Sequence, residues 1–325
     1  MLKQIVIVIP EGHVNISSIT GMCEILGWAD EYWRETGNRP VVDIQLAGFA
    51  MENRPELGQF SVQALPISDI KKPDLVIVPS LARDYEAVLQ KNEKLVNWIA
   101  EQYKAGAEMA SVCTGVFLLA ATGMLNGKNC STHWDAAADL KRLFPRVHVH
   151  TEVLTLSGNG IYTNGGGYSF LNLALFLVEK YFNRQTAIVC AKMFQIDINR
   201  STQSPFIIFQ AQKNHGDELV YRAQTYIEEH LREKISFTAL ASRLAVSRRN
   251  LDRRFVKATG NTPLEYLQRA KIEVAKNALE QGRQTVFEAM MEAGYSDDKA
   301  FRETFKKITG LSPLNYRAQY NARMQ

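Results

Sequence analysis

Cys113 stands where a thiol could act as a nucleophile. The run Glu108-Met-Ala-Ser-Val-Cys113-Thr114-Gly115 puts it directly after a strand-like segment, and a glycine two residues on opens a helical one. A strand, a tight turn and a helix in that order form a nucleophile elbow. The elbow holds the side chain over a helix N-terminus, whose dipole favours a thiolate. Twenty residues further, Ser131-Thr-His133-Trp134 supplies an imidazole that could reach the thiol. A Cys and a His are together the minimum for acyl transfer. Turnover asks for more: a third group to orient the base and an open oxyanion site. No acid in the sequence is compellingly placed for that. The plain alternative is a buried Cys in a tight turn beside a structural His.

A different chemistry is concentrated in the last third. Residues 217–325 hold 19 Lys+Arg against 14 Asp+Glu, a net +5, whereas residues 1–216 hold 19 against 20, a net −1. A basic surplus of this kind points to a polyanion. Phe255-Val-Lys-Ala-Thr-Gly-Asn-Thr-Pro-Leu-Glu-Tyr266 aligns with Phe305-Lys-Lys-Ile-Thr-Gly-Leu-Ser-Pro-Leu-Asn-Tyr316, fifty residues later. The shared pattern, F-x-K-x-T-G-x-[ST]-P-L-x-Y, has seven identical positions and marks a duplication.

Each copy follows a helix–turn–helix pattern. In the first, Phe237–Leu244 is an amphipathic helix, Ala245-Val246 the turn, and Ser247 the cap of a second helix to about Ala258. In the second, Val286–Ala293 is the helix, Gly294-Tyr295 the turn, and Ser296 or Asp297 the cap of a helix to about Ile308. Gly260 and Gly310 read as C-caps, and Pro263 and Pro313 as the next starts. Leu251/Phe255 and Phe301/Phe305 lie four apart and face the core. The outer face carries Arg248, Arg249, Asp252, Arg253 and Lys257 in one copy, and Lys299, Arg302, Glu303 and Lys306 in the other. A helix in the major groove of double-stranded DNA needs such groups, arginine forks for guanine and cations near phosphate. The bland reading is a helical interaction domain with a solvated charged face. A long helix, about Leu264 to Gln281, is predicted to join the units, with the recognition helices about one DNA turn apart, roughly 34 Å.

The elbow needs a scaffold, and the first 185 residues alternate accordingly. Gln4–Ile9, Val41–Ala47, Asp74–Val78, Ala107–Val112 and Val147–Val149 read as strands, several as continuous Val/Ile runs suited to burial on both faces. Ile19–Trp33, Tyr85–Tyr103, Gly115–Thr122, Trp134–Leu143 and Tyr168–Phe182 read as helices between them. The pattern predicts an α/β domain with a layered parallel sheet, whose ligands sit at the carboxyl ends of the strands. Domains are expected at 1–195 and 217–325, with a polar linker and hinge at 196–216. The helix–turn–helix motifs fall at about 237–258 and 286–308.

Four cysteines, Cys23, Cys113, Cys130 and Cys190, show no CxxC pairing or Cys/His ligand cluster, so neither a metal nor another cofactor is expected. No apolar run reaches the about 18 residues of a membrane span, and the start lacks the long apolar region of a signal peptide. A cytoplasmic location with free thiols is expected.

Residues 217–325 resemble the DNA-binding domain of the AraC/XylS family, a seven-helix unit with two helix–turn–helix motifs; GYSDDKAFRETFKKITGLSPLNYR lies close to the family signature. The resemblance implies base reading by Arg249, Asp252 and Arg253, and by Lys299, Arg302 and Glu303. The family has a small polar residue at the Arg302 position and Arg at the Glu303 position. Residues 1–195 resemble the PfpI-type, class I glutamine amidotransferase-like fold with its flavodoxin-like sheet, and in particular the sensor half of GlxA-type regulators. The runs that carry this are Ala110-Ser-Val-Cys113-Thr-Gly, Leu118-Leu-Ala-Ala-Thr-Gly-Met-Leu-Asn-Gly127, Ser131-Thr-His133-Trp134, Tyr162-Thr-Asn-Gly165-Gly-Gly and Leu173-Ala-Leu-Phe-Leu-Val178. Enzymes of this fold place an acid soon after the first strand. Here Glu11 comes too early and Ser17 takes that position. Thr114 follows the cysteine where protease-type members have His, and Pro79-Ser80-Leu81 replaces a glycine pair. The resemblance implies a vestigial elbow at Cys113 and His133, reused to bind a small effector of unknown identity with Thr114, Ser80, Gly165 and Gly166. It also implies a homodimer and contact with RNA polymerase. The competing class is a cysteine-dependent amidase or hydrolase fused to a DNA-binding domain.

Overall fold

The computed structural model describes residues 2–49, 52–53, 61–210, 212–213, 215–282 and 284–321. They form two compact units, 1–203 and 204–325.

The first unit is built on strands β1 (Lys3–Val8), β2 (Val42–Gly48), β3 (Glu52–Asn53), β4 (Val62–Gln63), β5 (Leu65–Pro66), β6 (Leu75–Val78), β7 (Glu108–Val112), β8 (Asn129–Ser131), β9 (His148–His150), β10 (Thr155–Gly158) and β11 (Ile161–Asn164). Seven of them form one sheet in the order β10-β11-β7-β6-β1-β2-β5. All pairs in it are parallel except β10 with β11. Ile5–Val8 and Leu75–Val78 are buried throughout, as central parallel strands require. The strand expected at Val147–Val149 lies outside this sheet. As β9 it pairs with β8 alone.

Helices α1 (Ile16–Glu35), α6 (Phe170–Tyr181) and α7 (Arg184–Met193) pack on one another. The α1–α6 crossing is close: a Cβ on Gly21 would meet the Phe170 ring at 2.5 Å. Helices α2 (Tyr85–Lys91), α3 (Glu93–Lys104) and α4 (Val116–Ala121) form a second group, and α5 (Ala137–Leu143) lies against β9. The single helix expected over Tyr85–Tyr103 is divided at Asn92. Its buried amide accepts from Glu11 N–H at 2.8 Å and donates to Glu11 and Val88 carbonyls, each at 2.9 Å.

The second unit is helical: α8 (Glu218–Glu229), α9 (Phe237–Arg243), α10 (Arg248–Thr259), α11 (Pro263–Glu280), α12 (Val286–Glu292), α13 (Asp298–Thr309) and α14 (Pro313–Tyr320). It has two cores. Val220, Ile227, Leu240, Leu251 and Phe255 close around Tyr266. Met290, Phe301, Phe305 and Tyr316 close around Ile272 and Leu279. Helix α11 thus feeds both, its first turns one core and its later turns the other. Among the described residues, no helix is long and apolar enough to cross a membrane.

The segment expected as a linker is held on both flanks. Ile196 and Ile198 pack on the α/β core, and Gln203 is buried there. Ile207 and Phe209 bond to α11 instead. Residues 211 and 214 of this segment lie outside the described ones.

Candidate functional site

Sequence dictates the elbow locally. β7 ends at Val112, and Cys113 takes φ 54°, a left-handed conformation that a residue with a Cβ seldom adopts. Gly115 permits the turn: a Cβ there would lie 2.5 Å from Val78 O and 2.6 Å from Pro79 O. The order of the sheet turns outward in both directions from β1 and β6, so the elbow sits at the carboxyl ends beside the switch point.

The residues expected around the thiol do converge. Gly166, at φ 92°, lies so close that a Cβ would come 2.3 Å from Cys113 Sγ. Asn164 pins this glycine loop, accepting from Gly166 N–H and from Ser169 Oγ, each at 3.0 Å. Thr132 Oγ1 donates to Cys113 O at 3.1 Å. The Thr114 hydroxyl accepts from Leu81 N–H at 2.7 Å and donates to Leu81 O at 2.9 Å. Its one proton is thereby used, so Ser80 Oγ donates to it at 3.1 Å. Thr114 and Ser80 therefore brace the loop after β6. The hydroxyl turned to that loop from α1 is the buried Ser18, which accepts from Ser80 N–H at 3.1 Å, whereas Ser17 bonds outward to Asn15.

His133 is half-buried. Desolvation holds its imidazole below the usual range, reinforced by Arg83 and opposed by Asp135. Its Nδ1 accepts from Asp135 N–H at 3.2 Å, which leaves the proton of the neutral ring on Nε2. Among the described residues, no hydrogen bond joins it to Cys113, and no carboxylate bonds to either. Sequence reasoning missed four neighbours. Tyr85 stacks on Phe117 at 3.9 Å, and burial together with nearby Cys113 pushes its phenol up to about 12. Arg83 and Asp135 form an ion pair at 2.6 Å. Gln203 fills the space beside Gly165. Tyr85 was visible only as a helix start, and Gln203 was hidden in a supposed linker.

Gly166 covers the thiol, and Cys113 is 8% exposed. Two open surface cavities lie elsewhere. One, of about 560 Å³, is lined by Ile19, Cys23, Leu46 and Val62; another, of about 370 Å³, by Arg232, Phe287 and Met291. Among the described residues, no group of three or more His, Cys, Asp or Glu is placed to hold a metal ion.

The helix–turn–helix face is open. Ser247 caps α10, its hydroxyl accepting from Asn250 N–H at 3.2 Å, and Asp297 caps α13 through Ala300 N–H at 3.0 Å. Arg249, Arg253 and Lys257 are exposed at i, i+4 and i+8, one basic stripe along α10. The matching stripe on α13 is Lys299, Glu303 and Lys307. Lys307 was missed, although the repeat itself aligns it with Lys257. Lys306 and Arg302 are also exposed. Two expected readers, Asp252 and Arg302, are engaged within their helices. Arg248 Nε donates to Asp252 at 2.8 and 2.9 Å, and Arg302 Nε to Asp298 at 2.9 and 2.7 Å. Arg254 faces away, forked onto Asp217 at 2.9 and 2.6 Å.

Comparison with known proteins divides the chain the same way. Residues 64–170 match the DJ-1/PfpI family and residues 240–319 a helix-turn-helix domain. The chain is 26% identical over 223 residues to the HTH-type transcriptional regulator GbdR of Pseudomonas aeruginosa, covering 68% of this chain and 60% of that relative. It is 24% identical over 254 residues to the HTH-type transcriptional regulator CdhR of the same organism, covering 78% and 74%. Both of these relatives are transcriptional regulators. Drosophila melanogaster DJ-1beta superposes with TM-score 0.50 at 14% identity, over 61% of this chain and all of that one, a likeness of fold. The chain joins a DJ-1/PfpI-like α/β domain to an AraC-type helix-turn-helix domain.

Proposed function

We propose that this chain, a DJ-1/PfpI-like domain joined to an AraC-type helix–turn–helix domain, is a sequence-specific DNA-binding transcription regulator under small-molecule control. The observation that carries this is the duplicated motif with an exposed Arg249–Arg253–Lys257 stripe on one recognition helix and Lys299, Lys306 and Lys307 on the other. Arg249 and Arg253 fork onto bases, while the lysines neutralise phosphates. Ser247, already used as a cap, fixes the entry of α10. Arg248, Asp252 and Arg302 reach DNA by opening their intrahelical pairs, and Glu303 accepts from cytosine.

The α/β domain is the sensor, of the GlxA type with an amidotransferase-like elbow out of use. An effector enters by displacing the Gly165–Gly167 loop from Cys113, beside His133. It acts by preferring one of two states of the protein. The regulator works as a cytoplasmic homodimer that meets RNA polymerase at its promoters.

The test is selection of duplexes from a random library by the full chain. A bipartite consensus with halves about one turn apart, bound with affinity that falls steeply with salt, is the expected result. Failure to enrich any sequence, or a flat salt dependence, overturns the reading.

A further inference from the structure

Gln203 is the last residue of the α/β unit and is 3% exposed. Its carboxamide serves as a strand partner would. Oε1 accepts from Trp134 N–H at 3.2 Å and Nε2 donates to Thr132 O at 2.8 Å. The two bonds bracket His133. The same amide occupies the space beside Gly165, where a Cβ would lie 2.6 Å from Nε2. Gly166, the next residue, covers Cys113. One side chain therefore touches both segments that close the elbow.

The backbone around Gln203 is docked as well. Leu154 N–H donates to Ser201 O at 3.0 Å, Thr202 Oγ1 donates to Glu152 O at 2.6 Å, and Thr202 forms an antiparallel bridge with Val153. Immediately beyond, the chain is fixed to the helical unit. Tyr320 Oη donates to Pro205 O at 3.1 Å, Lys276 Nζ to Ile207 O at 2.6 Å, and Phe209 N–H to Glu273 at 3.1 Å. The helical unit begins at Ser204, the residue next to Gln203.

We infer that Gln203 is the positioning residue of the elbow site and its mechanical link to the DNA-binding unit. A buried amide cannot be left unpaired without a large desolvation cost. A ligand that shifts the Thr132–Trp134 segment must therefore carry Gln203 along or break its bonds, and one that shifts Gly165 changes the packing against the same amide. Either event alters the restraint on a chain segment that is tied to α11 and α14 a few residues later. The local clamp stands by itself, and its consequence for DNA rests on the regulator reading above.

The first test needs no effector and no DNA. Hydrogen exchange is followed in the full-length protein and in Gln203→Met, which keeps the side chain's bulk and removes both bonds. Gly165→Ala pushes on the same amide from its other side. Each variant should speed exchange of the Trp134 amide by about fivefold to tenfold. Each should also speed the Phe209 amide at least about twofold, with Met109 in β7 unchanged. Acceleration confined to Trp134, or spread equally over β7, overturns the link.

The second test uses a duplex obtained by selection. His133→Ala should change its affinity at least about threefold in the parent protein and by under about twofold in Gln203→Met. Additive effects overturn the link. Absence of any selected duplex overturns the regulator reading instead and leaves the exchange result to stand.

Discussion

Phe255 meets Tyr266 edge-on at 5.3 Å and 75°; fifty residues on, Phe305 meets Tyr316 at 5.4 Å and 80°. Both tyrosine hydroxyls donate to a glutamate, Glu228 at 2.6 Å and Glu280 at 2.5 Å. Thr259 and Thr309 both return a hydrogen bond to the phenylalanine carbonyl at 2.8 Å. Gly260 and Gly310 both close their helices in the left-handed region. The outer faces differ. Arg248–Asp252 in α10 becomes Asp298–Arg302 in α13, the same i,i+4 ion pair with its polarity reversed. Arg253 becomes Glu303 and Val256 becomes Lys306. What packing demands is the same in both copies, and what faces solvent is not. Each copy thus presents its own chemistry from one scaffold.

The comparison breaks first if the scaffolds are unequal. Phe255→Ala and Phe305→Ala each empty a fully buried aromatic site, and each should cost about 3–5 kcal/mol. Urea unfolding of the full chain followed by far-ultraviolet dichroism measures this. A difference above about 2 kcal/mol between them would show that one core dominates. Next comes the reading face. Arg249→Ala should weaken the selected duplex by about 1–3 kcal/mol and relax one base pair, whereas Lys299→Ala should weaken all sequences alike and flatten the salt slope by about 1. If Lys299→Ala alters the consensus instead, the division between reader and phosphate contact is reversed.

A smaller effect is expected in acid, and in one copy alone. Arg254, helped by backbone N–H groups, holds the Asp217 carboxyl below its usual range. A lowered folded pKa contributes stability above the unfolded value, about 3.9, that is lost as pH falls through the folded one. The counterpart of Arg254 is Thr304, which carries no charge. Hydrogen exchange at falling pH should therefore loosen α8 and α10 before α13. Asp217→Asn should abolish the difference; its persistence in that variant would place the acid-sensitive group elsewhere.

Legibility followed the range of the contacts. The elbow could be read because Cys113 and Gly115 meet a backbone requirement at the end of the Glu108–Val112 strand. The two motifs could be read because Phe, Gly, Pro and Tyr recur at fixed spacing. The β10–β11 hairpin was missed for lack of an apolar run, although Asn159-Gly160, with φ 53° and 72°, is the residue pair a type I′ turn favours. Helix α7 was missed despite Asn183, whose side chain caps it through Thr186 N–H at 2.8 Å. Gln203 had no local signal at all. Its partners are about seventy residues away, at Thr132 and Trp134. The cover over the thiol was equally illegible, because it depends on how near Gly166 comes to Cys113 in space.

The reversed ion pairs give the finest test of the comparison. Asp298 lies in the first turn of α13, where a carboxylate also meets the positive end of the helix dipole. Asp252 lies a turn further into α10, and the first-turn residue there is Arg248, which the same dipole disfavours. Removing an exposed i,i+4 pair costs about 0.3–0.5 kcal/mol in either copy. Asp298→Asn should cost a few tenths of a kcal/mol more, because it forfeits the dipole as well. Asp252→Asn frees Arg248 and removes a carboxylate from the proposed reading face, so it should alter the consensus of the selected duplex while slightly lowering stability. Paired urea midpoints and duplex affinities separate the two terms. If Asp252→Asn proves the costlier substitution, the pair in α10 holds more than its neighbour, and Arg248 belongs to the scaffold, not to the reading face.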